Sequence, residues 1–173
     1  MSAVTLSERD GWIRVYTYKD GLLATAAHDL RLAFERFQIT LEEEAEELKV
    51  TARFWPEQLR VEGTMVSGRF EERGLDRLSR AKIQRTVQRE ILKTAQHPEG
   101  YFAGRWSAGR VEGTLSLRGL SRPLEFSSTR REGSWEGELE ISPSRWGIKP
   151  YQALFGAIKL QDRVKLSWSL RAP

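Results

Sequence analysis

The chain has 173 residues, with 28 Lys and Arg against 24 Asp and Glu, and it contains no Cys. The length suits one domain with its own core, and the lack of Cys excludes disulfides, thiolate nucleophiles and Cys-ligated metals. No apolar run approaches the roughly 18–20 residues of a membrane-spanning helix. No secretory leader is recognisable at the N-terminus, and we therefore expect a cytoplasmic protein.

Most of the chain alternates apolar and polar residues with a period of two, which is typical of antiparallel strands with one buried face. The second predicted strand changes register between Phe34 and Phe37, which predicts a bulge or bend at residues 35–36. The acidic residues 42–47 then form a predicted hairpin loop. In chain order, the predicted strands cover residues 12–18, 30–41, 48–54, 59–65, 101–107, 111–117, 124–128, 135–141, 154–160 and 164–170.

One segment has helical spacing instead. Between about residues 75 and 95 the apolar residues recur every three or four positions, and Pro98 follows them. A shorter turn is predicted at residues 22–27. Many strands with one main helix predict a mainly β fold, a single antiparallel barrel over residues 1–173 with the helix across one opening or side.

The predicted helix is strongly basic. Residues 73–93 include seven Lys and Arg, of which Arg85, Arg89 and Lys93 form a stripe at i, i+4 spacing. A solvated face with loose ion pairs explains such a stripe. The alternative is docking on an anionic membrane surface or on an acidic partner.

Catalytic signatures are sparse. His28 and Asp29 form the only adjacent His–carboxylate pair, and neighbours in a strand point to opposite faces. Neither a Gly-x-Ser-x-Gly motif nor a phosphate loop is present. We therefore expect no enzyme, and an enzyme using His28 as acid or base is the alternative. Most aromatic residues share the apolar register, so we expect no nucleic-acid platform.

Glycine is the most informative residue type. Gly63, Gly113, Gly137 and Gly156 fall in apolar registers of predicted strands, where they contribute no side-chain volume. They predict sharp bends, a hollow interior, or both. A cavity lined by aliphatic and aromatic side chains would suit an apolar, flexible guest such as a lipid chain. A solid barrel that serves as an interaction module is the alternative.

Three stretches resemble one family. Residues 83–102 resemble its helix and the strand that follows, and residues 111–126 resemble its Gly-x-Leu to Gly-x-x-Arg-Pro hairpin. Residues 146–160 resemble its Phe-Gly-Ile-Lys-Pro loop and next strand, with Trp146 in place of Phe. Together, over about residues 12–170, the chain resembles the YceI-like family of lipocalin-like, polyisoprenoid-binding proteins.

The resemblance implies a lipocalin-like barrel whose tunnel binds an isoprenoid lipid or isoprenoid quinone non-covalently, with the head group near one mouth. It implies no catalysis and no cofactor other than such a bound lipid. Peripheral contact of the basic helix with an anionic membrane and a homodimer are compatible with the sequence. The predicted wall residues are Phe34, Val61, Gly63, Val111, Gly113, Leu115, Gly137, Leu139, Ile158 and Trp168. The predicted polar residues near an opening are His28, Arg118, Lys149 and Tyr151.

Overall fold

The structure, a computed structural model, describes residues 2–21 and 27–172. Within these residues thirteen strands form one antiparallel sheet. The predicted turn at 22–27 falls, except for Ala27, outside the described residues. The strands are β1 Ala3–Ser7, β2 Gly11–Lys19, β3 Asp29–Phe34, β4 Phe37–Glu44, β5 Glu47–Phe54, β6 Leu59–Val66, β7 Arg69–Glu71, β8 Gly100–Ser107, β9 Arg110–Leu117, β10 Leu120–Arg131, β11 Ser134–Ile141, β12 Gln152–Ala153 and β13 Ile158–Arg171.

The sheet curls round on itself into a barrel. Its strand order is β1-β4-β5-β8-β9-β10-β11-β13-β2-β3-β6-β7, with β12 paired to β13. β3 pairs with β2 and β6, whereas β4 pairs with β1 and β5. Only residues 35–36 separate β3 from β4, so distant parts of the sheet must meet at that corner. The mainly β, antiparallel barrel predicted from the sequence is confirmed.

The corner explains the change of register. Leu32 in β3 and Phe37 in β4 are both almost completely buried, although they stand an odd number of positions apart. The break between Phe34 and Phe37 lets both strands direct their apolar faces inward. The predicted bend at residues 35–36 is therefore confirmed.

The helix α1 extends over Arg77–Thr86 and continues through a wider, π-helical turn at Val87–Ile91, so it is a few residues shorter than predicted at both ends. At its start the Asp76 carboxylate accepts the backbone N–H of Ser79 at 2.8 Å. This hydrogen bond holds the pKa of the Asp76 carboxyl below its usual value. Leu78, which the spacing placed on the apolar face, is 83% exposed instead.

A Gln side chain joins the helix to the edge of β6. The Gln84 amide nitrogen donates to the carbonyl of Leu59 at 2.5 Å, and its Oε1 accepts from the backbone N–H of Val61 at 2.9 Å. β7 pairs with β6 only at residues 64–66. Gln84 thus supplies hydrogen bonds that a neighbouring strand would otherwise make, and the helix covers this edge of the sheet.

One end of the barrel, here called the closed end, is filled by side chains. Leu6, Leu48 and Leu170 belong to one buried cluster there. Trp106 packs edge to face on Trp135 with ring centroids 5.2 Å apart, and its indole N–H donates to the carbonyl of Ser128 at 3.0 Å. The predicted hairpin loop of residues 42–47 lies at this end, with its turn between β4 and β5.

Several strands differ from the prediction, and the short strands β1, β7 and β12 were not predicted. The predicted strands at 154–160 and 164–170 are one strand, β13, with a register irregularity between Leu160 and Val164. Residues 154–156 form a 3₁₀ turn before it. β10 is longer than the predicted 124–128, because its first half has a polar, exposed sequence that shows no alternation.

Candidate functional site

The barrel interior contains a cavity of about 600 Å³. This volume falls within the ~300–1,000 Å³ typical of small-molecule sites. The cavity extends down to the closed end, where Leu6, Trp135 and Leu170 contribute to its wall. Six of the predicted wall residues line it, namely Phe34, Val111, Leu115, Leu139, Ile158 and Trp168.

The predicted wall residue Val61 lies elsewhere. It is buried in the cluster that β3 and β6 form with the helix, together with Leu75 and Val87, and it does not belong to the cavity wall. The alternation in β6 correctly identified Val61 as buried. It could not show that the helix, rather than the cavity, covers this strand.

The glycines do not create the empty space, so that expectation is wrong. A Cβ on Gly113 would lie 2.4 Å from the carbonyl oxygen of Ala103 and 2.7 Å from the Cα of Gly104. These two atoms belong to the neighbouring strand β8, so Gly113 permits a close backbone approach. The empty space comes from the curvature of the sheet, and the inward-facing side chains form its wall.

The other three glycines do not create the cavity either, Gly63 and Gly137 because they are tightly packed and Gly156 because it lies outside the strand. A Cβ on Gly137 would lie 2.4 Å from the Trp168 ring, and one on Gly63 would lie 2.5 Å from the carbonyl oxygen of Glu71. None of these positions lies on the cavity wall. Gly156 lies in the exposed turn before β13 with a φ of +87°, and a Cβ there would have no neighbour within 4 Å.

Polar groups gather at the other end of the cavity, here called the open end. The open end lies at the end of β2 and at the starts of β3 and β13. There Leu160 of β13 pairs with Lys19 of β2, and Leu30 of β3 pairs with Thr17 of β2. Three predicted polar residues, His28, Lys149 and Tyr151, line the cavity here. Arg118 does not line it, because its guanidinium donates to the carbonyl of Gly147 at 3.2 Å. Further polar lining residues at this end are Thr17, Ser79, Lys82, Thr86, Gln161 and Asp162.

A buried Trp positions the loop that carries Lys149 and Tyr151. Trp146 is completely buried, and its indole N–H donates to the carbonyl of Leu115 at 2.8 Å. The Asp162 carboxylate accepts the backbone N–H of Ser144 at 3.0 Å. The carbonyl of Tyr151 accepts the backbone N–H of Leu160 at 2.9 Å. These bonds hold the loop against β9 and β13 and direct its end toward the mouth.

Some cavity-lining residues were not predicted. The sequence pattern could have identified some of them but not others. Thr17 stands in the inward register of β2 with Ile13 and Val15, so alternation could have identified it. Its hydroxyl is buried and has no hydrogen-bond partner among the described residues. Gln161 and Asp162 lie inside the register irregularity of β13, where alternation cannot assign a face.

The adjacent pair His28 and Asp29 does not act as a unit. The Asp29 carboxylate accepts the backbone N–H of Lys19 at 2.7 Å, while His28 is exposed at the mouth. Over residues 2–21 and 27–172, His, Asp and Glu side chains form no cluster that could hold a metal ion. In the same residues, no helix is long and apolar enough to cross a membrane.

An antiparallel barrel around an apolar cavity with a polar mouth defines a class of proteins that bind hydrophobic small molecules. A sequence model of the YceI-like domain matches residues 24–172. The chain therefore belongs to the YceI-like family, and the resemblance of its three motifs is confirmed. Family and cavity together are consistent with a lipid-binding barrel.

Solved structures share the fold at low sequence identity. The crystal structure of BcnA from Burkholderia cenocepacia aligns with a TM-score of 0.63 at 11% identity, covering 94% of this chain and 96% of that one. A mutant CJ YceI protein with a monobromobimane guest aligns with a TM-score of 0.57 at 12% identity, covering 82% of each chain. A search of curated proteins found no significant match.

Proposed function

We propose that the protein binds an amphiphilic lipid non-covalently, with an isoprenoid chain in the cavity and a polar head group at the open end, for storage or transfer. One observation carries the proposal. The cavity is mainly apolar toward the closed end, where Ser128 is a polar lining residue whose hydroxyl donates to the carbonyl of Glu136, whereas most of its other polar lining residues gather at the other end. An elongated molecule with one apolar and one polar end matches this distribution.

The apolar part of the cavity supplies the affinity. Removing apolar surface from water contributes about 25 cal/mol per Å², so a chain that buries roughly 300 Å² gains on the order of 7 kcal/mol before the costs of association. Aliphatic and aromatic walls such as Leu139, Leu166 and Trp168 tolerate a branched, flexible chain without directional bonds.

The polar residues at the mouth favour a head group that accepts hydrogen bonds. The Lys149 ammonium and the Tyr151 hydroxyl both donate, and the Lys82 ammonium of the helix lines the same cavity. Quinone carbonyls accept hydrogen bonds and donate none. An isoprenoid quinone is therefore one head-group chemistry that these side chains can bind.

The test measures how much isoprenoid quinone stays with the protein through gel filtration. Leu139→Trp adds bulk inside the cavity and should lower retention by about tenfold, because the chain loses part of its volume. Glu138→Trp is the matched control, since this neighbouring side chain points outward and is 67% exposed. We expect the control to retain quinone like the unmodified protein. No retention by the unmodified protein, or equal retention by both variants, would contradict the proposal.

A further inference from the structure

Large hydrophobic side chains are exposed around the open end. Leu78 lies in the first turn of α1, and Leu154 and Phe155 lie in the turn before β13. Phe155 is fully exposed, and Leu154 is 67% exposed. Val66 and Leu120, in the hairpins β6–β7 and β9–β10, are exposed as well. An apolar set of this kind around one opening indicates an interaction surface.

The contacts of these elements place them at one end of the barrel. The β6–β7 hairpin lies next to the start of β3, because Met65 pairs with Asp29. The segment leading into α1 lies there too, since a Cβ on Gly74 would meet Thr64. The β9–β10 hairpin joins the 147–156 loop through Arg118. We call this set of side chains, Val66, Leu78, Leu120, Leu154 and Phe155, the apolar rim.

The backbone at the tip of the rim is unusual. Leu154 and Phe155 have φ values of 50° and 54°, a left-handed conformation that bulky residues rarely adopt. The turn holds Phe155 toward water, while Leu154, although largely exposed, also lines the cavity. Residues held in such sparsely populated backbone conformations cluster at functional sites.

Free cations surround the rim. Arg77, Lys82 and Lys149 are exposed, and within the described part of the chain none of them forms an ion pair. Among the acidic side chains at this end, Asp76 caps the helix, Asp162 accepts from Ser144, and Asp20 pairs with Lys159. Glu71 and Glu72, between β7 and α1, are exposed. The acidic hairpin of residues 42–47 lies at the closed end, on the far side of the molecule. The open end therefore offers cations and apolar groups together.

We propose that the open end docks on an anionic phospholipid bilayer, with Leu78 and Phe155 inserted among the lipids and Arg77, Lys82 and Lys149 facing the anionic head groups. A bilayer surface offers both apolar depth and negative charge, which is the combination that the rim complements. Docking presents the cavity mouth to the membrane, so a lipid can move between them without crossing water. This last step rests on the proposed function; the docking itself does not.

The proposed membrane contact involves a smaller part of the basic helix than the sequence suggested. The stripe of Arg85, Arg89 and Lys93 begins two turns beyond Leu78, where the helix runs along β6 toward Glu57. The exposed apolar side chain of the helix, Leu78, lies in the first turn and not beside this stripe. The membrane contact therefore involves the first turns of the helix and the 147–156 loop.

Flotation of the protein with vesicles tests the docking. The vesicles are phosphatidylcholine with phosphatidylglycerol, compared with phosphatidylcholine alone. Leu78→Ser/Phe155→Ser should weaken binding by about tenfold or more, because two side chains lose their burial in the interface. Arg77→Glu should weaken it by about fivefold on the anionic vesicles alone. Arg131→Glu, which alters an exposed side chain at the turn between β10 and β11, far from the rim, is the matched control and should bind normally.

Three results would overturn the proposal. The first is an unmodified protein that does not float with anionic vesicles, and the second is a rim variant that floats equally well. The third is a rim-dependent dimer in solution without vesicle binding, which would assign the surface to a second copy. Quinone supplied in detergent separates this proposal from the previous one. The rim variant should retain as much quinone as the unmodified protein; vesicle binding without any quinone retention would leave the docking intact and contradict only the proposed function.

Discussion

Gly113 shows what a single residue in this sequence can and cannot indicate. Its position in the inward register of β9 was evident from alternation. The atoms that Gly113 contacts were not evident, because Ala103 and Gly104 come to lie beside it only when β8 pairs with β9. The same limit applies to Trp146, whose burial could be expected but whose hydrogen bond to Leu115 depends on the folded loop.

Replacing Gly113 should therefore destabilise the fold. Gly113→Ala places a Cβ against two backbone atoms that cannot rotate away, and overpacking of this kind costs about 1–3 kcal/mol. Thr114→Ala, at the adjacent exposed position, is the control and should change stability by less than about 0.5 kcal/mol. Urea denaturation measures both. A Gly113→Ala variant as stable as the control would show that the strands can separate to admit the methyl group.

At the scale of elements, the helix was predictable and its attachment was not. Helical spacing identified α1, but the spacing alone could not show that the Leu78 side chain, in its first turn, is exposed to solvent. Gln84 gave no signal in the sequence, because a polar residue beside an apolar stripe is ordinary. Its role depends on β6 having an edge without a strand partner, which only the sheet topology shows.

The Gln84 side chain gives a test at this scale. Gln84→Ala leaves the carbonyl of Leu59 and the N–H of Val61 without their partner, and unsatisfied buried groups cost about 1–3 kcal/mol. Gln88→Ala is the matched control, since Gln88 donates only one exposed bond to the carbonyl of Glu57. We expect the first variant to lose clearly more unfolding free energy. Equal losses would mean that water replaces the Gln84 amide without cost.

Across the whole molecule, the sequence predicted one antiparallel barrel with one main helix, and the family match and the topology agree. It did not predict which end is sealed. The closed end joins residues from β1, β4, β5, β11 and β13, and no local pattern connects segments so far apart. The candidate site was partly predictable for the same reason: wall residues follow strand alternation, whereas the mouth depends on loops and on the helix.

The most direct measurement is mass spectrometry of the organic extract from protein purified without detergent. The account predicts an amphiphilic lipid with an isoprenoid chain at close to one molecule per protein, because the sealed, apolar end of the cavity gives such a chain little route back to water. An extract without bound lipid, from protein that also takes up no isoprenoid quinone when this is supplied, would contradict the central claim.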